Sequence, residues 1–179
     1  MAKSDQLRKT RAGTVINFTA KKQETDLAKA LAQVERALKV KFGADIVLTH
    51  DRRILLRDIV AELRRTYPKD MEFHCYRDSS NMRPDGGILS IKGPDKDPLR
   101  YPILIAEVKN QGTNDKRKAE GLSKQSLGNA VERLGKNVIG FRTMLMRESI
   151  FPFICFGYGC DFTPEESILD RVVTIAMFG

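Results

Sequence analysis

The feature that most constrains this chain is an apolar run that ends in charge: Tyr101-Pro102-Ile103-Leu104-Ile105-Ala106, then Glu107-Val108-Lys109. Ile103–Ala106, closed so abruptly, reads as a buried strand that delivers charges at one end. Alternate residues of a strand share a face, so Glu107 and Lys109 project together. Upstream, Pro84-Asp85-Gly86-Gly87 opens a second segment, Ile88-Leu89-Ser90-Ile91, and Gly93-Pro94-Asp95 marks a turn between the two. A hairpin closed there runs antiparallel and can set Asp85 beside Glu107. Two carboxylates and a lysine at the end of a hydrophobic strand suit a hard divalent cation and a water nucleophile.

That chemistry is specific even though the pattern, Pro-Asp, then 21 residues, then Glu-x-Lys, is short. Phosphodiester hydrolysis needs charge stabilisation at a pentavalent phosphorus and a water made nucleophilic near neutral pH. Mg²⁺ supplies the first, and it prefers a few carboxylates with water in its remaining positions. An adjacent ammonium orients or activates the water and offsets negative charge. The competing reading of Glu107 and Lys109 is a surface salt bridge at a strand end.

Charge points the same way. The 179 residues carry 31 Lys+Arg against 23 Asp+Glu, net +8, with a sequence pI of 9.5. The balance fits a polyanionic partner, nucleic acid first and an anionic membrane surface second, or else serves solubility alone. Cys75, Cys155 and Cys160 contain no C-x-x-C and, with only His50 and His74, make no zinc pattern. They are expected to be reduced thiols. No secretory h-region and no transmembrane-length run is present, so the expectation is a soluble, cytoplasmic chain without a membrane partner.

Residues 1–23 are expected to be a basic N-terminal arm, partly flexible and packed only near Phe18. Residues 24–179 then form one α/β domain. Leu27, Leu31, Val34 and Leu38 predict a helix over 25–42, capped by Gly43. A short strand at Ile46–Leu48, a helix over Ile54–Arg65 and a strand at Phe73–Tyr76 follow. A long helix is expected from Ser126 to about Glu148, its apolar face made by Val131, Leu134, Val138, Ile139, Phe141 and Leu145. Phe151–Gly157 reads as a buried strand. Thr163-Pro164-Glu165-Glu166 starts a last helix bearing Ile168, Leu169, Val172, Val173 and Ile175. The basic loop Lys116-Arg117-Lys118 lies just downstream of the acid–lysine site, where binding residues often sit.

Longer blocks carry a resemblance. They are Ser79-Ser80 through Arg83-Pro84-Asp85-Gly86-Gly87-Ile88; Leu104-Ile105-Ala106-Glu107-Val108-Lys109-Asn110-Gln111-Gly112; Gly128-Asn129-Ala130-Val131-Glu132-Arg133; Lys136-Asn137; and Glu148-Ser149-x-Phe151-Pro152. In this order the sequence resembles the EcoRI-type type II restriction endonucleases, the GAATTC-cutting EcoRI/RsrI-like group of the PD-(D/E)xK superfamily. The resemblance implies a restriction-endonuclease-like α/β/α sandwich with a central mixed β-sheet. It implies Asp85, Glu107 and the Val108 backbone carbonyl as Mg²⁺ ligands, with Lys109 placing the attacking water. It also implies that Gly128, Asn129 and Ala130 enter the major groove, with Glu132, Arg133 and Arg171 supporting recognition and the dimer contact. Arg83, Gln111, Lys116, Arg117 and Lys118 are then the phosphate contacts. Asn129 suits adenine, whose N7 accepts and N6 donates. The sequence departs from the family at Gln125, where a methionine is expected, and at Thr174, where a second arginine is expected. The family chain also runs further, so a C-terminally truncated chain is expected.

The resulting expectation is a Mg²⁺-dependent homodimeric endonuclease. It hydrolyses a palindromic double-stranded DNA site, GAATTC, leaving 5′-phosphate and 3′-hydroxyl ends. The alternatives are a non-cutting DNA-binding remnant and a related nuclease of repair or junction resolution.

Overall fold

A computed structural model describes residues 15–66, 74–92, 100–110, 121, 128–146, 148–158, 162 and 167–178. Helix α1 (Val15–Phe42) leads through a 3₁₀ turn at Gly43–Asp45 into β1 (Val47–Asp51). β2 (Ile54–Leu55), α2 (Leu56–Thr66) and β3 (Asn81–Met82) follow. Next come β4 (Gly87–Lys92), β5 (Arg100–Asn110), α3 (Gly128–Met144), β6 (Phe153–Tyr158) and α4 (Ser167–Phe178).

The expected hairpin is the centre of the molecule. β4 pairs antiparallel with β5, Gly87 opposite Ala106 and Ile88 opposite Ile105, with a register shift between Leu89 and Ser90. β1 pairs antiparallel on the far side of β4, and β6 runs parallel to β5, giving the mixed order β1-β4-β5-β6. A parallel neighbour needs a crossover, and α3 lies in the one joining β5 to β6. β2 and β3 form a separate two-stranded sheet.

Strand β5 is apolar because both its faces are covered. Ala106, flanked by Leu104 and Val108, packs on Leu27 and Leu31 of α1. Ile105 points the other way, into a cluster with Ile88, Ile59 and Leu63 of α2, Met82, and Phe141 of α3. Helices therefore flank the sheet on both faces, and the expected α/β/α sandwich with its central mixed sheet is the architecture found. Fully burying a Leu or Ile contributes about 1.5–3 kcal/mol, so the two layers hold chiefly by this packing.

Several expectations need correcting. α1 begins at Val15, so the last part of the expected basic arm belongs to the first helix. Its C-terminus is as expected, with Gly43 at φ +62°, a left-handed conformation that closes helices cheaply when no Cβ is present. Residues 74–76 of the expected Phe73–Tyr76 strand are not in a strand, and Ile54–Leu55 pair as β2 rather than starting α2. Ile139 is 54% exposed, off the apolar stripe that buries Leu134, Val138 and Phe141. The strand expected to be buried, β6, covers only one face. Phe153 joins the core, whereas Ile154, Phe156 and Tyr158 are 44%, 52% and 59% exposed. Phe153 turns one face of β6 onto Phe141 of α3, and Ile154, Phe156 and Tyr158 point to the other, exposed face. The Lys92–Leu99 turn beyond Lys92, and Thr163–Glu166, lie outside the described residues.

Candidate active site

The end of the β4–β5 hairpin gathers Asp85, Glu107 and Lys109. The Pro84–Gly87 turn is closed by the Gly87 N–H donating to the Pro84 carbonyl (3.0 Å), and is fastened to β5 by the Gly86 N–H on the Ala106 carbonyl (2.8 Å). Gly87 is at φ +82°, which only glycine adopts without strain, and a Cβ there would meet the Asp51 carbonyl at 2.8 Å. A Cβ on Gly86 would meet Ala106 and Leu27 side chains at 2.8 Å. The two glycines thus let the turn lie flat against β1, β5 and α1.

This turn carries Asp85 onto the end of β5. The Asp85 backbone N–H donates to Glu107 Oε2 at 3.0 Å, and the Val108 N–H donates back to Asp85 Oδ2 at 3.2 Å. Lys109 Nζ donates to Glu107 Oε1 and lies 3.5 Å from Asp85 Oδ2 and 3.4 Å from the Val108 carbonyl. One cation therefore lies within 3.5 Å of the three oxygens that the resemblance implies as metal ligands. From the opposite helix, Asn137 donates Nδ2–H to Glu107 Oε1 at 3.2 Å.

Burial sets the electrostatics. Glu107 is 2% exposed, while the Asp85 and Lys109 side chains are 27% and 13% exposed. Desolvation raises the Glu107 carboxyl above its usual range, with the charge of Lys109 and its hydrogen bond pulling the other way and Asp85 adding to the rise. Cys155 lies opposite Glu107 in the β5–β6 register, and burial pushes its thiol up to about 11, against the pull of Lys109.

The donor set fits Mg²⁺ on chemical grounds. Two carboxylates and a backbone carbonyl are hard oxygen donors converging on one positive charge, and an ion that keeps several waters needs no larger protein cage. Among the described residues no cluster of three or more His, Cys, Asp or Glu offers a rival site.

The other expected residues are less closely grouped. Gly128, Asn129 and Ala130 form the first turn of α3. At about 1.5 Å per residue, Asn129 lies roughly 12 Å along the axis from Asn137. Glu132 and Arg133 are exposed on α3, Arg171 is exposed on α4, and Arg83 is exposed just before the turn. Gln111, Lys116, Arg117 and Lys118 lie outside the described residues. Sequence reasoning assigned no role to Asn137, His50 or Cys155. Asn137 did carry a signal, because it stands three residues after Leu134 and four before Phe141, a polar group on an apolar stripe.

An α/β/α sandwich with paired carboxylates and a lysine at the mouth of its central hairpin is an architecture suited to phosphodiester chemistry. Comparison with known proteins makes this particular: the family described as "Restriction endonuclease EcoRI" matches residues 10–177, and the chain belongs to that family. It is 28% identical over 169 residues to the type II restriction enzyme RsrI of Cereibacter sphaeroides, covering 89% of this chain and 60% of that one. It is 29% identical over 120 residues to the type II restriction enzyme EcoRI of Escherichia coli, covering 63% of this chain and 43% of that one. The chain thus spans about half the length of these relatives.

Proposed function

We propose that this chain is a Mg²⁺-dependent type II restriction endonuclease, hydrolysing both strands of a palindromic DNA site as a homodimer. The observation that carries the reading is the convergence of Asp85 Oδ2, Glu107 Oε1 and the Val108 carbonyl on the Lys109 ammonium. When bound there, Mg²⁺ would act as a Lewis acid on the scissile phosphate and lower the pKa of a bound water. The residues supply the rest. Glu107 presents a carboxylate whose burial favours neutralisation by a cation, and Asn137 and the Asp85 N–H fix its two oxygens. Asp85 faces the more open side, where a phosphate can approach. Lys109 is placed to hold or orient the attacking water, and its charge offsets the incoming phosphate.

Membership of the EcoRI family supports GAATTC as the site, cut to 5′-phosphate and 3′-hydroxyl ends. The first turn of α3, with Gly128, Asn129 and Ala130, is assigned to the bases, and Glu132, Arg133 and Arg171 to its support and the dimer contact. Arg83, Gln111, Lys116, Arg117 and Lys118 are assigned to phosphates. No helix among the described residues is long and apolar enough to cross a membrane. Digestion of a mapped plasmid with Mg²⁺, followed by end sequencing, tests the reading. Discrete fragments ending at GAATTC support it. Smears, branch-specific cuts or binding without cutting point to the related nuclease or the DNA-binding remnant.

A further inference from the structure

The turn that carries Asp85 is held from two sides, and only one of them is β5. The β1–β4 ladder ends with Asp51 opposite Ile88, short of the turn. Beyond that last pair a side chain continues the connection: His50 Nε2 lies 2.9 Å from the Gly86 carbonyl oxygen. A carbonyl can only accept, so Nε2 carries the proton, and in the neutral ring Nδ1 keeps the lone pair. Both backbone groups of Gly86 are thereby held, its N–H on β5 and its carbonyl on β1, so the peptide planes on either side of its Cα are fixed. The imidazole also lies against Gly87, where a Cβ would stand 2.7 Å from Nε2. His50 is exposed as a residue, yet this edge of its ring fits the notch left by the missing Cβ of Gly87.

We propose that His50 is a positioning residue for the metal site, acting through the Gly86 carbonyl to fix the Pro84–Gly87 turn and so the direction of the Asp85 carboxylate. The inference rests on the metal-site reading above and adds a residue to it. Without the imidazole, the backbone next to Asp85 keeps its bonds to β5 but loses its tie to β1. Asp85 then samples orientations that do not converge with Glu107 and the Val108 carbonyl. The partners that orient ligands typically change metal affinity by about 10–100-fold when removed.

The test is Mn²⁺ binding to the metal-free protein, followed by electron paramagnetic resonance, for wild type, Glu107→Ala, His50→Leu and His50→Gln. Glutamine places an N–H near the position of Nε2, and leucine fills the space without a donor. His50→Leu should weaken Mn²⁺ binding about 10-fold or more, and His50→Gln should bind as wild type does. Wild-type Mn²⁺ affinity in His50→Leu overturns the proposal, even if its thermal midpoint falls, because that outcome marks a purely structural histidine. Equal weakening in the leucine and glutamine variants also overturns it. If His50→Leu does not fold, His50→Asn replaces it: its amide is one carbon too short, so asparagine must bind more weakly than glutamine. Equal binding by wild type and Glu107→Ala would instead remove the metal-site reading itself, so the two failures are distinguishable.

Discussion

Asn137 of α3 donates its side-chain N–H to Oε1 of Glu107 at 3.2 Å, and both residues are buried, 8% and 2% exposed. The helix whose first turn is assigned to the bases is thus bonded directly to a carboxylate assigned to the metal. Hydrogen bonds to charged groups contribute about 1.5–3 kcal/mol. Asn137→Ala should lower unfolding stability in urea by about 1–3 kcal/mol, since a buried charge loses a donor. An unchanged midpoint and slope would show that the bond does not form in solution.

The raised Glu107 carboxyl gives a pH dependence whose sign is fixed. Its folded pKa lies above the unfolded value, so the folded state binds more protons between the two. Stability of the metal-free protein should therefore fall as pH rises from the ordinary carboxylate range through the raised value, then level off. Comparing wild type with Glu107→Ala across that range isolates the contribution. Addition of Mg²⁺ at neutral pH should stabilise wild type and leave Glu107→Ala unmoved. A difference between the two proteins that does not vary with pH would contradict this.

Gly87→Ala should destabilise the fold by about 1–3 kcal/mol, because a left-handed backbone would carry a Cβ pressed on the Asp51 carbonyl. Urea denaturation checks the magnitude. Full stability in the alanine variant would mean that the turn is not held as found.

The sequence made the β4–β5 hairpin legible because two apolar segments, Ile88–Ile91 and Ile103–Ala106, flank the turn signal Gly93-Pro94-Asp95. It made the Gly43 cap and the α1 stripe at Leu27 and Leu31 legible through helical spacing. It hid the start of α1, because Val15-Ile16-Asn17-Phe18 reads as an isolated patch among basic residues. β6 misled for a physical reason: an apolar run shows that a strand forms but not how many of its faces are covered, and Ile154, Phe156 and Tyr158 stay exposed. Asp85, Glu107 and Lys109 could be named because strand register brings them together. The bonds of Asn137 and His50 to this site depend on how a helix and an outer strand are placed against it, which spacing along the chain does not encode.

Base reading and backbone binding should separate by mutation. Asn129→Ala should remove about 1–3 kcal/mol of discrimination per adenine contact, roughly twice that across a two-fold dimer, with non-specific affinity nearly unchanged. Replacing Lys116, Arg117 and Lys118 together with Ala should weaken binding to every sequence alike and flatten its salt dependence. Competition binding of GAATTC duplexes against single-base variants, over a range of salt, reads both effects. Full preference for A·T in Asn129→Ala would remove the assignment of this turn to the bases.

The central claim is that Asp85, Glu107 and Lys109 form a metal-dependent phosphodiesterase centre. Single-turnover cleavage of a GAATTC duplex in Mg²⁺, by wild type and Glu107→Ala with duplex binding measured in parallel, tests it most directly. Wild type should cut both strands at one position, and Glu107→Ala should bind the duplex at least as tightly without cutting, because a negative charge near the phosphate is gone and the Lys109 ammonium is left less neutralised. Cleavage by Glu107→Ala at the wild-type rate would contradict the account.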